Sequence, residues 1–223
     1  MDGLDFVLQG KKIALVNWLR TQGIDDESVL HAFSVVDRHL FIENSLFWHN
    51  AYENCPVPIA CGQTMSQPIT VAFQSQLLNI RKGDKVLEIG TGSGFQAAIL
   101  AAMGAQVYSI ERQIELFRTT RILLKNKLNI ININLFYGDG FKGLPDEAPF
   151  DRIIVTCGAP EVPISLLSQL KLGGIIVIPV GDGVQEMKRI TKMSDDEYQQ
   201  ESFGEFKFVP MLQSMVKGKR GTF

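Results

Sequence analysis

The sequence has no excess of positive charge. Lys and Arg total 22 against 24 Asp and Glu, a formal net charge of −2, so nothing is set aside to neutralise a phosphate backbone. Cysteine is scarce. Cys55, Cys61 and Cys157 are scattered, none sits in a C-x-x-C pair, and His31, His39 and His49 lie elsewhere. That pattern speaks against a zinc site and a disulfide framework and fits a reducing compartment. No apolar run is long enough to span a bilayer. The opening MDGLDFVLQGKK places acids ahead of any apolar run of signal-peptide length. Internal repeats and low-complexity tracts are missing as well. The expectation is a cytoplasmic protein without metal, membrane or nucleic acid partner.

What is present suits one large domain, or one domain with an N-terminal extension: 223 residues, 45% hydrophobic and 21% charged. Apolar residues at Leu4, Val7, Leu8, Ile13, Ala14, Val16 and Leu19 have roughly helical spacing. Asp25 or Asp26 can cap a second helix with Val29, Leu30, Phe33 and Val36 on one face. Residues 39–65, rich in Pro, Asn and aromatics, read as irregular, with a short strand at 57–60. Pro68 permits a third helix. From Lys85 strands and helices alternate. KVLEIG, QVYSIE, ININLFYG, FDRIIVTC and GGIIVIPVG read as strands. FQAAILAAMG, a long segment through RTTRILLKNKL, and PISLLSQLK read as helices. Alternation of this kind predicts parallel pairing with right-handed crossovers. Two further strand-like runs, at 186–192 and 205–210, predict an antiparallel C-terminal edge, with turns at 181–183 and at DDEY. The fold class is α/β: a doubly wound, mostly parallel sheet with an N-terminal helical cap. Residues 1–66 form the cap and acceptor loop, and residues 67–223 the α/β core.

In such a sheet, ligands bind beyond the carboxyl ends of the strands, at the topological switch. VLEIGTGSGF puts Gly90, Gly92 and Gly94 there, where glycine lets backbone approach a ligand and adopt positive φ. Glu111 ends the next strand, 19 residues after Gly92, and its carboxylate can accept both hydroxyls of a ribose. A nucleoside ligand follows. A pyrophosphate fingerprint asks for Gly or Ala where Phe95 stands, which places a nicotinamide dehydrogenase last among the readings.

VLEIGTGSG, YSIE and YGDG resemble the cofactor motifs of class I S-adenosylmethionine-dependent methyltransferases, whose fold is Rossmann-like. That resemblance implies Glu88 and Gly90 near the methionine part, Glu111 at the ribose, and Asp139 and Gly140 at the adenine, with Asp139 taking its exocyclic amine. The plain alternative for Asp139 is a turn residue. Upstream, AYENCPVPIACGQTMSQPITVA resembles the signature of protein-L-isoaspartate O-methyltransferases. GTGSGFQAAILA, GDGFKGLPDEAPFDRIIVT, LLSQLKLGGIIVIPVG and FVP extend the match across roughly residues 30–212. The family implies methyl transfer from S-adenosylmethionine to the α-carboxylate of L-isoaspartyl residues in damaged proteins. The ester then closes to a succinimide unaided, and hydrolysis returns some aspartate.

A carboxylate is already an anion at neutral pH, so no general base is required. What the protein supplies is alignment and a water-poor site for a step that annihilates charge. Within the resemblance, Ser66 is the acceptor-side residue, its hydroxyl donating to the substrate carboxylate. The competing reading is that Ser66 caps the helix begun by Pro68. Gln63 and Thr64 shape the same loop, Gln63 toward the substrate and Thr64 toward the cofactor. Val209 and Pro210 match the family on the substrate side, in a segment, 207–212, able to pair with an extended peptide. This chain departs from the family with Ala60 for Gly and Met65 for Ile. Ala60 raises the question of whether that loop needs positive φ. The histidines lack clustered carboxylates. Trp18, Trp48 and Cys157 read as packing residues, and the tail VKGKRGTF as solvated. The chain is expected to be a monomer or weak oligomer. Two alternatives remain: a methyltransferase on RNA or a small molecule sharing only the cofactor domain, and a cofactor-binding module without catalysis.

Overall fold

The structure, a computed structural model, describes residues 3–216. All of the basic tail VKGKRGTF after Val216 lies outside them.

A seven-stranded sheet organises the chain in the order β5-β4-β3-β6-β7-β8-β9. Its strands are β3 (Lys85–Ile89), β4 (Gln106–Glu111), β5 (Ile133–Tyr137), β6 (Phe150–Val155), β7 (Leu170–Val180), β8 (Gln185–Lys192) and β9 (Tyr198–Phe206). Pairing is parallel from β5 through β7 and antiparallel for β7–β8 and β8–β9. The chain winds from β3 through β4 to β5, then returns to lay β6 on the other side of β3. That reversal opens a crevice beyond Ile89 and Val155.

Period-two alternation sends the residues of β3 to opposite faces. Val86 joins the core that holds α4 (Phe95–Ala102), and Leu87 and Ile89 join Ile110, Phe150 and Ile153 on the other side. The N-terminal cap consists of α1 (Gly3–Thr21) and α2 (Glu27–Val35). It feeds the first of these cores: Leu8, Leu15, Leu19, Val29 and Phe33 are contiguous with Phe95, Ala98 and Val107. Phe33 and Phe41 meet the Phe95 ring edge-on at 5.7 and 5.5 Å, worth about 0.5–1.5 kcal/mol per pair beyond burial. Asp26 starts α2 as expected, accepting from Ser28 N at 2.8 Å and Val29 N at 3.4 Å. Gln76, on α3 (Pro68–Leu78), accepts from the backbone N–H groups of Asp25 and Asp26. Lys12, 6% exposed, reaches Asp37 at 2.8 Å.

Several elements differ from expectation. The last strand is β9 at Tyr198–Phe206, not 205–210. The turn at 193–197 returns the chain earlier, and residues 207–210 leave the sheet. The long helix is α5 (Ile114–Ile122), continued by a π turn at Leu123–Lys127 that lets Leu128 N bond Leu123 O. The helix α6 (Ile164–Ser168) is short because β7 already begins at Leu170. The predicted strand at 57–60 is β1 (Val57–Pro58), paired with β2 (Thr64–Met65) as a small hairpin.

Candidate active site

The crevice is open to solvent on one side, and the space within it and at its mouth amounts to about 1110 Å3. Its floor is the glycine turn and its far wall the end of β4. Residues 209–212 form the roof.

Gly90 has φ +97, and a Cβ there would stand 2.6 Å from Thr156 Oγ1. Its N–H donates to Ile110 O at 2.9 Å, so the turn is bound across to β4. Gly92 donates to Glu111 Oε2 at 2.9 Å, and Gln113 N donates to Oε1 at 2.8 Å. Glu111 is thus fixed against the turn and 5% exposed. Burial pushes its carboxyl pKa up, while the backbone N–H bonds oppose that push. Each oxygen keeps lone-pair capacity toward the crevice. Gly140 packs against the end of β3: a Cβ there would meet Ile89 Cγ2 at 2.4 Å.

Gln63, Thr64, Ser66, Gly90, Gly92, Glu111, Gly140, Val209 and Pro210 all line this crevice. Glu88, Gly94 and Asp139 do not. Glu88 is fully buried one layer behind it. Ser109 Oγ donates to Glu88 Oε2 and lies 2.6 Å from Thr91 Oγ1, while Glu88 Oε1 has no partner. Desolvation pushes the Glu88 carboxyl up to about 8, so it is largely protonated at neutral pH. Gly94, at φ +86, caps α4, and a Cβ would press on Thr120 Cγ2 at 2.7 Å; its place is packing. Asp139 accepts from Phe141 N at 3.0 Å and from Ser214 N at 2.9 Å. It therefore acts as a turn cap and as a tie to residues 212–216, which Arg112 also holds through Ser214 O at 3.0 Å.

Ser66 is half-buried, and its hydroxyl makes no hydrogen bond among the described residues. The capping alternative does not hold: the N-cap of α3 is Gln67, with no side-chain cap bond. Ser66, Thr64, Thr156 and Val209 also line a second groove, with Pro56, Gln67, Thr70 and residues 205–208. Ser66 therefore stands at the opening between crevice and groove. Segment 207–212 does not present a free ladder there. Gly158 N donates to Val209 O at 2.8 Å, and Met211 N donates to Gly158 O at 2.7 Å. The departure at Ala60 is harmless to the backbone, since positive φ falls on Cys61 (+59) and Gly62 (+66). Met65, 4% exposed, packs into the core.

Sequence reasoning missed Thr156, Gln96, Arg112 and Met211, which line the crevice. Only the strand end FDRIIVTC hinted at Thr156. Cys157 lines it too, its thiol pushed up to about 12 by burial. His39 is buried against Tyr52 OH at 2.9 Å and the Trp48 ring, away from the crevice.

A model of the protein-L-isoaspartate(D-aspartate) O-methyltransferase family matches residues 10–216. A protein-L-isoaspartate O-methyltransferase of Flavobacterium psychrophilum is 54% identical over 205 residues, 92% of this chain and 95% of the relative. Its namesake in Christiangramia forsetii shows the same identity and coverage. Among solved structures, one protein-L-isoaspartate O-methyltransferase superposes with a TM-score of 0.81 at 27% identity, covering 94% of this chain and 67% of that one. A Plasmodium falciparum structure given the same enzyme name, in complex with S-adenosyl-L-homocysteine, has a TM-score of 0.76 at 25% identity, covering 89% and 97%.

Proposed function

This chain belongs to the protein-L-isoaspartate(D-aspartate) O-methyltransferase family, and from that premise we propose how its crevice performs the family's reaction. The enzyme transfers a methyl group from S-adenosylmethionine to the α-carboxylate of L-isoaspartyl residues in damaged proteins or peptides. The residues present fit that cofactor: glycine backbone where a Cβ would collide, a fixed carboxylate at the end of β4, and a crevice lined by both. When bound, the cofactor supplies an activated methyl group on a cationic sulfur.

The protein's own residues bind, orient and exclude water. Glu111 accepts the ribose hydroxyls. Gly90 and Gly92 bring backbone against the methionine part, with Glu88 supporting the turn from behind through Ser109 and Thr91. Gly140 makes room for the adenine. Asp139 holds the 212–216 segment beside it and keeps lone pairs for the exocyclic amine. Gly94 sets the start of α4. Thr64 and Gln63 line the passage between cofactor and acceptor. Val209 and Pro210 form its outer wall, facing the peptide.

The observation that carries the assignment of the acceptor seat is the free Ser66 hydroxyl at the opening between crevice and groove. It can donate to one carboxylate oxygen and leave the other to face the methyl group. No proton needs to be removed from the acceptor. We assign residues 1–66 to the acceptor side and residues 67–223 to the cofactor side as a division of labour. No helix among the described residues is long and apolar enough to cross a membrane, and all three cysteines are free. We further propose a cytoplasmic enzyme, monomeric or weakly oligomeric, that acts on protein and not on nucleic acid.

The test incubates the protein with methyl-labelled cofactor and two peptides differing only in aspartyl or isoaspartyl linkage. Base-labile label on the isoaspartyl peptide alone is the expected result. Equal labelling of both, or of neither, overturns the reading.

A further inference from the structure

Arg38 is 1% exposed, one of the largest fully buried side chains. No ion pair among the described residues includes it. Its Nε donates to Ala51 O at 2.8 Å and its Nη2 to Ser66 O at 3.0 Å. Its Cζ lies 4.8 Å from the centroid of Phe95, a residue of the crevice wall at the start of α4. Nη1 is buried without a partner.

A guanidinium without a counter-charge is an expensive way to fill a core, because a hydrocarbon of similar length packs there without the desolvation cost. Two carbonyls and an aromatic face lower that cost but do not cancel the charge. What the position gains is contact with both halves of the site at once. The guanidinium ties the backbone of Ser66 to the first residue after the glycine turn, and its charge lies behind the acceptor seat.

Resting on the assignment of Ser66 to the acceptor, we propose that Arg38 is a positioning residue: its fork fixes the Ser66 backbone, and its uncompensated positive charge draws the isoaspartyl carboxylate to the Ser66 hydroxyl. The charge acts asymmetrically along the reaction. The acceptor arrives as a full anion and leaves as a neutral ester. A fixed cation behind the seat attracts the first and is indifferent to the second. Negative charge on the oxygen is already falling in the transition state, so the effect appears in substrate binding and release more than in the transfer step. Peptide KM rises when the charge is removed, and kcat moves little.

The experiment measures binding of two competing ligands to the enzyme loaded with S-adenosylhomocysteine. One is an isoaspartyl peptide, the other the same peptide with its α-carboxylate replaced by carboxamide. The wild type favours the acid. Arg38→Met and Arg38→Gln narrow that preference by about tenfold, with S-adenosylhomocysteine affinity unchanged. Arg38→Lys retains the preference, because the charge stays although the fork is lost. A packing defect weakens both peptides equally and leaves their ratio intact. An unchanged ratio in a folded Arg38→Met enzyme overturns the proposal. If that variant does not fold, the Gln and Lys variants decide, and equal ratios in those two overturn it as well. A wild type that takes aspartyl and isoaspartyl peptides alike removes the acceptor reading itself, and this proposal falls with it. An intact isoaspartyl preference with an Arg38-independent ratio removes only the proposal.

Discussion

Ser66, which we propose seats the acceptor carboxylate, illustrates how little side chain that step asks for. Its hydroxyl has no partner within the described protein, so removing it leaves no orphaned group behind and costs little stability. Ser66→Ala is expected to unfold within a degree or two of the parent and to bind S-adenosylhomocysteine equally well. Turnover on an isoaspartyl peptide should fall by about 10–100-fold, the scale of one lost hydrogen bond to a charged group. Turnover equal to wild type removes Ser66 from the mechanism. The sequence carried this residue only through resemblance, because a serine one residue before a helix cap looks the same in either role. Arg38 was not legible at all. An arginine at the end of an apolar stretch reads as surface charge, and nothing in DRHLF reveals that the chain folds back over it. Cys157, a packing residue by its sequence setting, also lines the crevice. With its thiol pushed up to about 12, it should alkylate far more slowly at pH 8 than an ordinary thiol. Labelling followed by peptide mapping checks this.

Elements were easier to read than their ends. The five parallel strands announce themselves as short runs rich in β-branched and aromatic residues, bounded by turn residues and alternating with helical stretches. Strand β9 was displaced because QQESFGEF, a half-exposed edge, alternates too weakly to outrank the more apolar FKFVP beside it. The π turn after α5 left no signal, since one extra residue in a turn does not break helical periodicity. The glycine turn was legible as a unit, but its three glycines do different work. Gly90 and Gly92 face the crevice, whereas Gly94 only caps and packs. Gly94→Ala must hold φ +86 with a methyl 2.7 Å from Thr120 Cγ2 and 3.1 Å from Leu124 Cδ1. It should lower stability by about 1–3 kcal/mol, read as a lower urea midpoint with unchanged m. If the urea midpoint does not move, the turn is looser than its packing indicates.

At the scale of the whole molecule, cap and sheet share one apolar core running from Leu8 through Phe95 to Met187, so the two are held in fixed relation. Under that core lies a cost the sequence did not show. In VLEIG the glutamate looks like a ligand residue, but the fold seals it beneath the turn at 0% exposure. In the unfolded chain Glu88 ionises near 4.5; in the folded one burial holds it neutral up to about 8. Between those values the folded state binds the extra proton, so stability falls as pH rises. The contribution is complete below pH 4.5, is lost progressively to pH 8, and is flat beyond. Its steepest slope is about 1.4 kcal/mol per pH unit. Glu88→Gln keeps an acceptor for the Ser109 hydroxyl and cannot ionise. Measured by urea unfolding without ligand, the variant should gain on the wild type steadily from pH 5 to pH 8 and then hold its advantage. Taking the difference between the two proteins cancels other titrating groups, including Glu111, whose carboxyl is also raised and stays in both. A difference independent of pH would mean that Glu88 is ionised in the native protein and that the floor of the cofactor site is wetter than its packing implies.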